Sequence, residues 1–170
     1  VFRTMPADES KLAINKEKVA EAVKNGTLTA TTLATAAELS INEDDLYINE
    51  KLPFAFDYGD SDTNVYSTES HGTHVAGIIA GKSDTITGVA TEAQIATFKV
   101  FSDYGTGAET ESILAGLNDA VTLGVDAINM SLGTSCGFSR EEDDDAVNEV
   151  YEKIEESGIC LVVAASNDYS

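Results

Sequence analysis

Between Lys11 and Lys24 the apolar residues Leu12, Ile14, Val19, Ala22 and Val23 fall near helical spacing, and Asn25-Gly26 supplies the usual stop. Thr29 to Leu39 predicts a weaker second helix, and Asn42-Glu43-Asp44-Asp45 a turn. Leu52 to Tyr58 is a short apolar run of strand character. In Ser70 to Gly81, Val75, Ile78 and Ile79 recur as on a buried helix, with Ser70 or a neighbour as its cap. Gly72, Ala76, Gly77 and Ala80 leave one side of that helix without bulk, so that another backbone can approach. A loop from Lys82 to Thr87 leads to the strand Ile95–Phe101 and to a second loop, Asp103–Gly107. Glu109 to Leu123 is amphipathic, with Ile113, Leu114, Leu117, Ala120 and Val121 facing inward, and Gly124 ends it. Val125–Ser131 is apolar enough for a strand covered on both faces. Glu141 to Glu156 predicts a helix with Ala146, Val147, Val150, Tyr151 and Ile154 inward and an acidic start that suits the macrodipole. Gly158 ends it, and Ile159–Ala165 is a final buried strand. Strand, helix, strand, helix, strand is the pattern of an α/β fold with a parallel sheet and right-handed crossovers.

Composition narrows the partners. The 170 residues suffice for one α/β domain with a core, and the net charge of −20 argues against nucleic acid or an anionic membrane, both of which need a cationic face. Such acidity suits an extracellular life and is met most simply by a solvated surface. Asp60, Asp62 and Asn64 alternate as in a calcium loop, but Val65 and His71 stand where the turn glycine and the bidentate glutamate belong, so a solvated acidic turn is expected. Cys136 lies in a loop and Cys160 in an apolar run, where it is expected to be a small buried hydrophobe; the two are not a disulfide scaffold. No stretch is long enough to span a membrane and no signal peptide opens the chain. Val1 and Ser170 read as cuts within a longer protein.

The chemistry centres on His71-Gly72-Thr73-His74-Val75-Ala76-Gly77, which resembles the histidine motif of the subtilisin-like serine proteases. On that resemblance His71 is the catalytic base, while His74 is expected to face the body of the fold as a hydrogen-bonded structural residue. A zinc site is not expected: the histidines are three apart without an intervening Glu, and no third ligand has matching spacing. Asp126 to Gly133 resembles the family strand whose end, Ser131, Leu132 and Gly133, lines the pocket for the substrate residue before the scissile bond. Gly105, Thr106 and Gly107, after Tyr104, form the opposing edge, so that a peptide can add as an extra strand. Val162 to Asn167 resembles the strand that ends in the oxyanion asparagine, which makes Asn167 the donor to the developing alkoxide and adds Ala164, Ala165 and Ser166 to the pocket. Ser166 stands where the family usually has Gly.

The aspartate in an Asp-Ser/Thr-Gly setting and the nucleophile in a Gly-Thr-Ser-small-Pro setting are absent. Asp57 and Asp60 do not match the first, and Gly133-Thr134-Ser135 precedes Asn167 and is taken as a loop. The resemblance therefore implies a subtilisin-like parallel sheet flanked by helices, incomplete because the first strand and the nucleophile helix are missing. Residues 1–51 form a helical insertion and 52–170 the central part of the peptidase domain. Residues 1–58 also resemble the cell-envelope branch, with the lactocepin-like and C5a-peptidase-like proteins of Gram-positive bacteria. The function implied is peptide-bond hydrolysis by a secreted or cell-wall-attached serine endopeptidase, the isolated chain being inactive. The rival is a pseudoprotease, a peptide-binding module that kept the groove without catalysis. The partner is a peptide or protein substrate. No cofactor is required of these residues, although the resemblance allows a structural calcium in the full-length protein; the loop after the histidine motif offers it one carboxylate, Asp84. The strand order implied is 2-3-1-4-5, with Leu52–Tyr58 second, Ile95–Phe101 third, Val125–Ser131 fourth and Ile159–Ala165 fifth. Without the first strand the third and fourth are expected to pair directly or to drive self-association.

Overall fold

In the computed structural model, which describes residues 12–67, 69–133, 145–165 and 167, the chain enters through α1 (Lys16–Asn25). The Asn15 side chain accepts the Lys18 N–H at 2.9 Å, and Gly26 closes the helix in the left-handed conformation. α2 (Thr29–Ala36) and α3 (Glu43–Leu46) follow; Asn42 and Asp45 form a capping box, so the stretch expected to be a turn is a single helical turn. Ile14, Val19, Leu28, Ala30, Ala34 and Leu46 share one core with Phe54, Phe56, Tyr58, Ala115 and Leu123. Polar bonds tie the same segment down. The Gln94 side chain pairs with both backbone groups of Ile14 and donates to the Glu50 carbonyl, while the buried Lys51 ammonium donates to the Thr91 and Ala93 carbonyls. Burial lowers the Lys51 pKa.

Two parallel two-stranded sheets are present among the described residues. β1 (Ala55–Asp57) pairs with β2 (Thr97–Lys99), Phe56 opposite Phe98 and Asp57 opposite Lys99. β3 (Ala127–Met130) pairs with β4 (Cys160–Val163), Ala127 opposite Cys160. The neighbours expected within each pair are therefore correct, but β2 and β3 lie in different sheets and do not pair with each other.

α5 (Thr110–Leu123) connects the two halves with two buried faces. Ala115 and Leu123 join the first core, where Gly116 lies against Phe98, Val100 and Tyr58. Leu117, with Ile113, Leu114 and Val121, belongs to a second core with Met130 of β3 and Val150 and Ile154 of α6 (Asp145–Glu156). A single amphipathic stripe, as the spacing predicts, accounts for only the second of these faces.

Several expectations of burial fail. β3 and β4 are not covered on both faces: Ala127 and Asn129 are exposed, and Val162 and Val163 are about half exposed. Cys160 is a free, exposed thiol and not a buried hydrophobe. Ala146 of α6 is exposed, and Tyr151 is only partly covered. α4 (His71–Ala80) buries only Ala80, while Ile78 is 57% exposed. Apart from Asn129 these residues are apolar enough to be interior, but among the described residues they keep an exposed side.

Candidate active site

α4 begins at His71, which is exposed at the first helical position after Ser70. Ser70 occupies the cap position without a side-chain bond to the helix, unlike the cap the sequence suggests. His74 is also exposed among the described residues, and not turned into the body of the fold as expected. The far end of α4 is fixed by backbone. The Gly88, Val89 and Ala90 amides donate to the carbonyls of Gly81, Ile78 and Ile79 at 2.8, 3.0 and 2.7 Å. A Cβ on Gly88 would stand 2.7 Å from the Gly81 nitrogen, whereas one on Gly72 or Gly77 would meet nothing within 4 Å. The close approach expected along the small face of α4 occurs at its C-terminal end instead.

At the carboxyl ends of β3 and β4, Leu132, Gly133, Ala164 and Ala165 line one pocket of about 370 Å³, closed on the sides by Ile113 and Leu114 of α5 and Val147 and Tyr151 of α6. The Ala164 amide donates to the Met130 carbonyl at 3.0 Å, which carries the β3–β4 pairing to the pocket's rim. Ser131 is half-buried, and its hydroxyl accepts from the Asn129 side chain at 3.0 Å. Asn167 is exposed just beyond β4. Ser166, Thr134, Ser135, Cys136 and the start of the Glu141 helix lie outside the described residues. Gly105, Thr106 and Gly107 are exposed at the tip of a loop that the Phe101–Ala108 bridge closes; they do not line the pocket.

The root of that loop holds a polar cluster that has no function in the sequence motifs. Asp57, the last residue of β1, accepts the amides of Gly59 and Asp60 on Oδ1 and pairs with the Lys99 ammonium through Oδ2. Lys99 also donates to the Phe101 carbonyl at 2.7 Å and lies 3.6 Å from Asp60 and 3.4 Å from Asp103. Asp60 accepts the Ser102 hydroxyl and, at 2.8 Å, the Asp103 amide. The expected solvated turn is thus wrong for Asp60, whose carboxylate is largely enclosed. The Asp57, Asp60 and Asp103 carboxylates lie close enough together to resemble a cation site, and the Lys99 ammonium supplies the positive charge among them. Burial pushes the Asp57 carboxyl up, against the pull of Lys99. The Asp103 amide and the Ser102 hydroxyl hold Asp60 below the usual carboxylate range. Burial works to lower the Lys99 pKa, but Asp57 and Asp103 carry it above the ordinary lysine value. A lysine and an aspartate at the same register on two adjacent strands were the available signal, but seeing it required the pairing.

Of the expected site residues, Leu132, Gly133, Ala164 and Ala165 come together at the carboxyl ends of two parallel strands of an α/β protein. A model of the subtilase family of peptidases matches residues 17–170, and the chain belongs to that family. The PII-type proteinase of Lactococcus lactis subsp. cremoris is 36% identical over 132 residues, which is 71% of this chain and 7% of that protein. The minor extracellular protease Epr of Bacillus subtilis (strain 168) is 40% identical over 109 residues, 62% of this chain and 16% of that protein. Subtilisin E of the same strain is 39% identical over 113 residues, 65% of this chain and 28% of that protein. The chain thus spans less than a third of the length of each of these relatives.

Proposed function

We propose that this chain is the central part of a serine endopeptidase catalytic domain, with His71 as general base and acid and Asn167 as oxyanion donor. The observation that carries the reading is the pocket at the carboxyl ends of β3 and β4, where Leu132, Gly133, Ala164 and Ala165 meet. An apolar substrate side chain enters it, and the backbone edges of Ser131–Gly133 and Gly105–Gly107 hold the peptide as an added strand. A serine outside these residues attacks the carbonyl and passes its proton to His71. The Asn167 amide stabilises the oxyanion, and His71 returns the proton to the leaving amine. Residues 1–51 are an insertion, whose described part, residues 12–51, packs on the domain through Val19, Leu28 and Leu46. The acidity of the chain and the extracellular protease among its relatives support secretion, with wall attachment in keeping with the cell-envelope resemblance. In isolation the chain is inactive and self-associates through strand edges that are unpaired among the described residues.

The test uses the full-length protein and the 170-residue chain side by side, with chromogenic peptides and a fluorophosphonate probe. The full-length protein is expected to hydrolyse the peptides and to be labelled at a serine outside the 170 residues. The short chain is expected to do neither. Stoichiometric labelling of Ser131, Ser135 or Ser166 would overturn the assignment. A full-length protein that binds peptides without cleaving them would be the peptide-binding module instead.

A further inference from the structure

We infer that Asp60 and Ser102 are positioning residues that fix the height of the Gly105–Gly107 edge and so set the affinity of this site for extended peptides. The inference rests on the peptidase reading above, and it concerns a turn outside the pocket.

The tip of the loop holds itself poorly. Tyr104 is 94% exposed, Gly105, Thr106 and Gly107 are exposed, and a Cβ on Gly107 would touch nothing within 4 Å. An edge that is to receive a peptide by backbone hydrogen bonds must nevertheless stand at a fixed distance from the opposite edge, because such bonds weaken steeply with misalignment. The order comes from the root. Asp60 takes the Ser102 hydroxyl on one carboxylate oxygen and the Asp103 amide on the other. The Ser102 oxygen in turn accepts the Tyr104 amide at 3.0 Å, so one side chain passes the constraint two residues toward the tip. The β1 turn can reach this root only because residue 59 is glycine: a Cβ there would stand 2.6 Å from the Ser102 nitrogen. Lys99 completes the frame by binding the Phe101 carbonyl while paired with Asp57. The turn is therefore tied directly to Ser102 and Asp103 at the start of the loop, and through Ser102 to Tyr104, by bonds that a solvated turn would not need.

The expected signature is a loss in KM that depends on substrate length. In the full-length enzyme, Asp60→Ala and Ser102→Ala are expected to raise KM for a peptide long enough to lie along the loop about fivefold to tenfold, the scale of one or two lost hydrogen bonds. KM for a single-residue amide or ester, which does not reach the loop, changes less than twofold, and kcat for the long peptide falls far less than KM rises. Ser102→Thr, which keeps the hydroxyl, restores the long-peptide KM. Amide hydrogen exchange over residues 101–108 is expected to quicken in both alanine variants while exchange in α5 is unchanged. Equal KM changes for the short and long substrates, or unchanged exchange in the loop of an active Asp60→Ala enzyme, would overturn the inference. If Asp60→Ala does not fold, the Ser102→Ala and Ser102→Thr pair decides by the same two readouts. An unsubstituted full-length protein without peptidase activity would overturn the peptidase reading and this inference with it, whereas an active one with length-independent variants would overturn this inference alone.

Discussion

The hydroxyl of Tyr58 donates to Oδ2 of Asp119 at 2.7 Å in the interior between the N-terminal helices and the first sheet. Asp119 is fully buried, and its carboxylate also accepts the amides of Thr29 at 2.6 Å and Ala30 at 2.8 Å, the first two residues of α2. A residue of α5 thus caps a helix some ninety positions earlier in the chain, where Leu28 offers no side-chain cap of its own.

Asp119→Ala is therefore expected to destabilise the protein by about 2–4 kcal/mol, since it removes a helix cap and leaves the Tyr58 hydroxyl buried without an acceptor. Tyr58→Phe, which leaves the cap intact, is expected to cost only about 1 kcal/mol. Urea unfolding of both variants checks the order. A larger loss for Tyr58→Phe would mean that the cap contributes little.

Asp119 also gives stability a pH dependence of definite sign. Burial pushes its carboxyl up, against the pull of the Ala30 amide, the Tyr58 hydroxyl and the Thr29 amide. A carboxyl with a raised folded pKa contributes stability that is full below its unfolded value and is lost as the pH rises through the folded one. The stability of the wild type relative to Asp119→Asn is expected to fall as pH increases from about 3 toward neutrality. Denaturant midpoints of the two proteins across that range are the measurement.

Asp60 has the opposite sign. Its carboxyl is held below the usual range by the Asp103 amide and the Ser102 hydroxyl, with Lys99 adding to the pull and burial working against it. Its contribution is full above the ordinary carboxylate range and is lost as the pH falls through its depressed value. The stability gap between wild type and Asp60→Asn is expected to close on acidification, as read by exchange of the Asp103 amide.

Two glycines near α4 are expected to respond differently. Gly88→Ala sets a Cβ within 2.9 Å of three backbone atoms and is expected to cost more than about 2 kcal/mol. Gly77→Ala meets nothing and, in the 170-residue chain, is expected to stabilise α4 by about 0.5–1 kcal/mol. If the full-length protein covers α4, the Gly77 gain disappears there. Thermal unfolding of both lengths makes the comparison.

For catalysis, His71→Ala in the full-length enzyme is expected to lower turnover about 10⁶-fold and Asn167→Ala about 10²- to 10³-fold, the scale found in subtilisin itself. Asn167→Ala is expected to act on kcat more than on KM, because its hydrogen bond strengthens as the oxyanion forms. Steady-state kinetics on one peptide suffices, and an unchanged rate for His71→Ala would end its assignment as the base.

The local periods of this chain determine its elements. Val75, Ile78 and Ile79 mark α4, Ile113 to Val121 mark α5, and the apolar runs ending at Phe101, Ser131 and Ala165 mark strands, because a helix or strand repeats its buried side on a spacing visible in any short window. The histidine motif and the strand-end motifs are legible for the same reason: each is contiguous. What lies between elements distant in sequence was decided by the tertiary structure. Asp119 carries no cap signal in its own segment, and only the packing of α5 against α2 and Tyr58 makes it a cap. Asp60 looked like a surface carboxylate until the pairing of β1 with β2 brought Lys99 and Ser102 beside it. Burial was the least legible quantity. Val162, Val163 and Ile78 have the hydrophobicity of interior residues, but exposure depends on what is packed above a side chain, which no period within its own segment records.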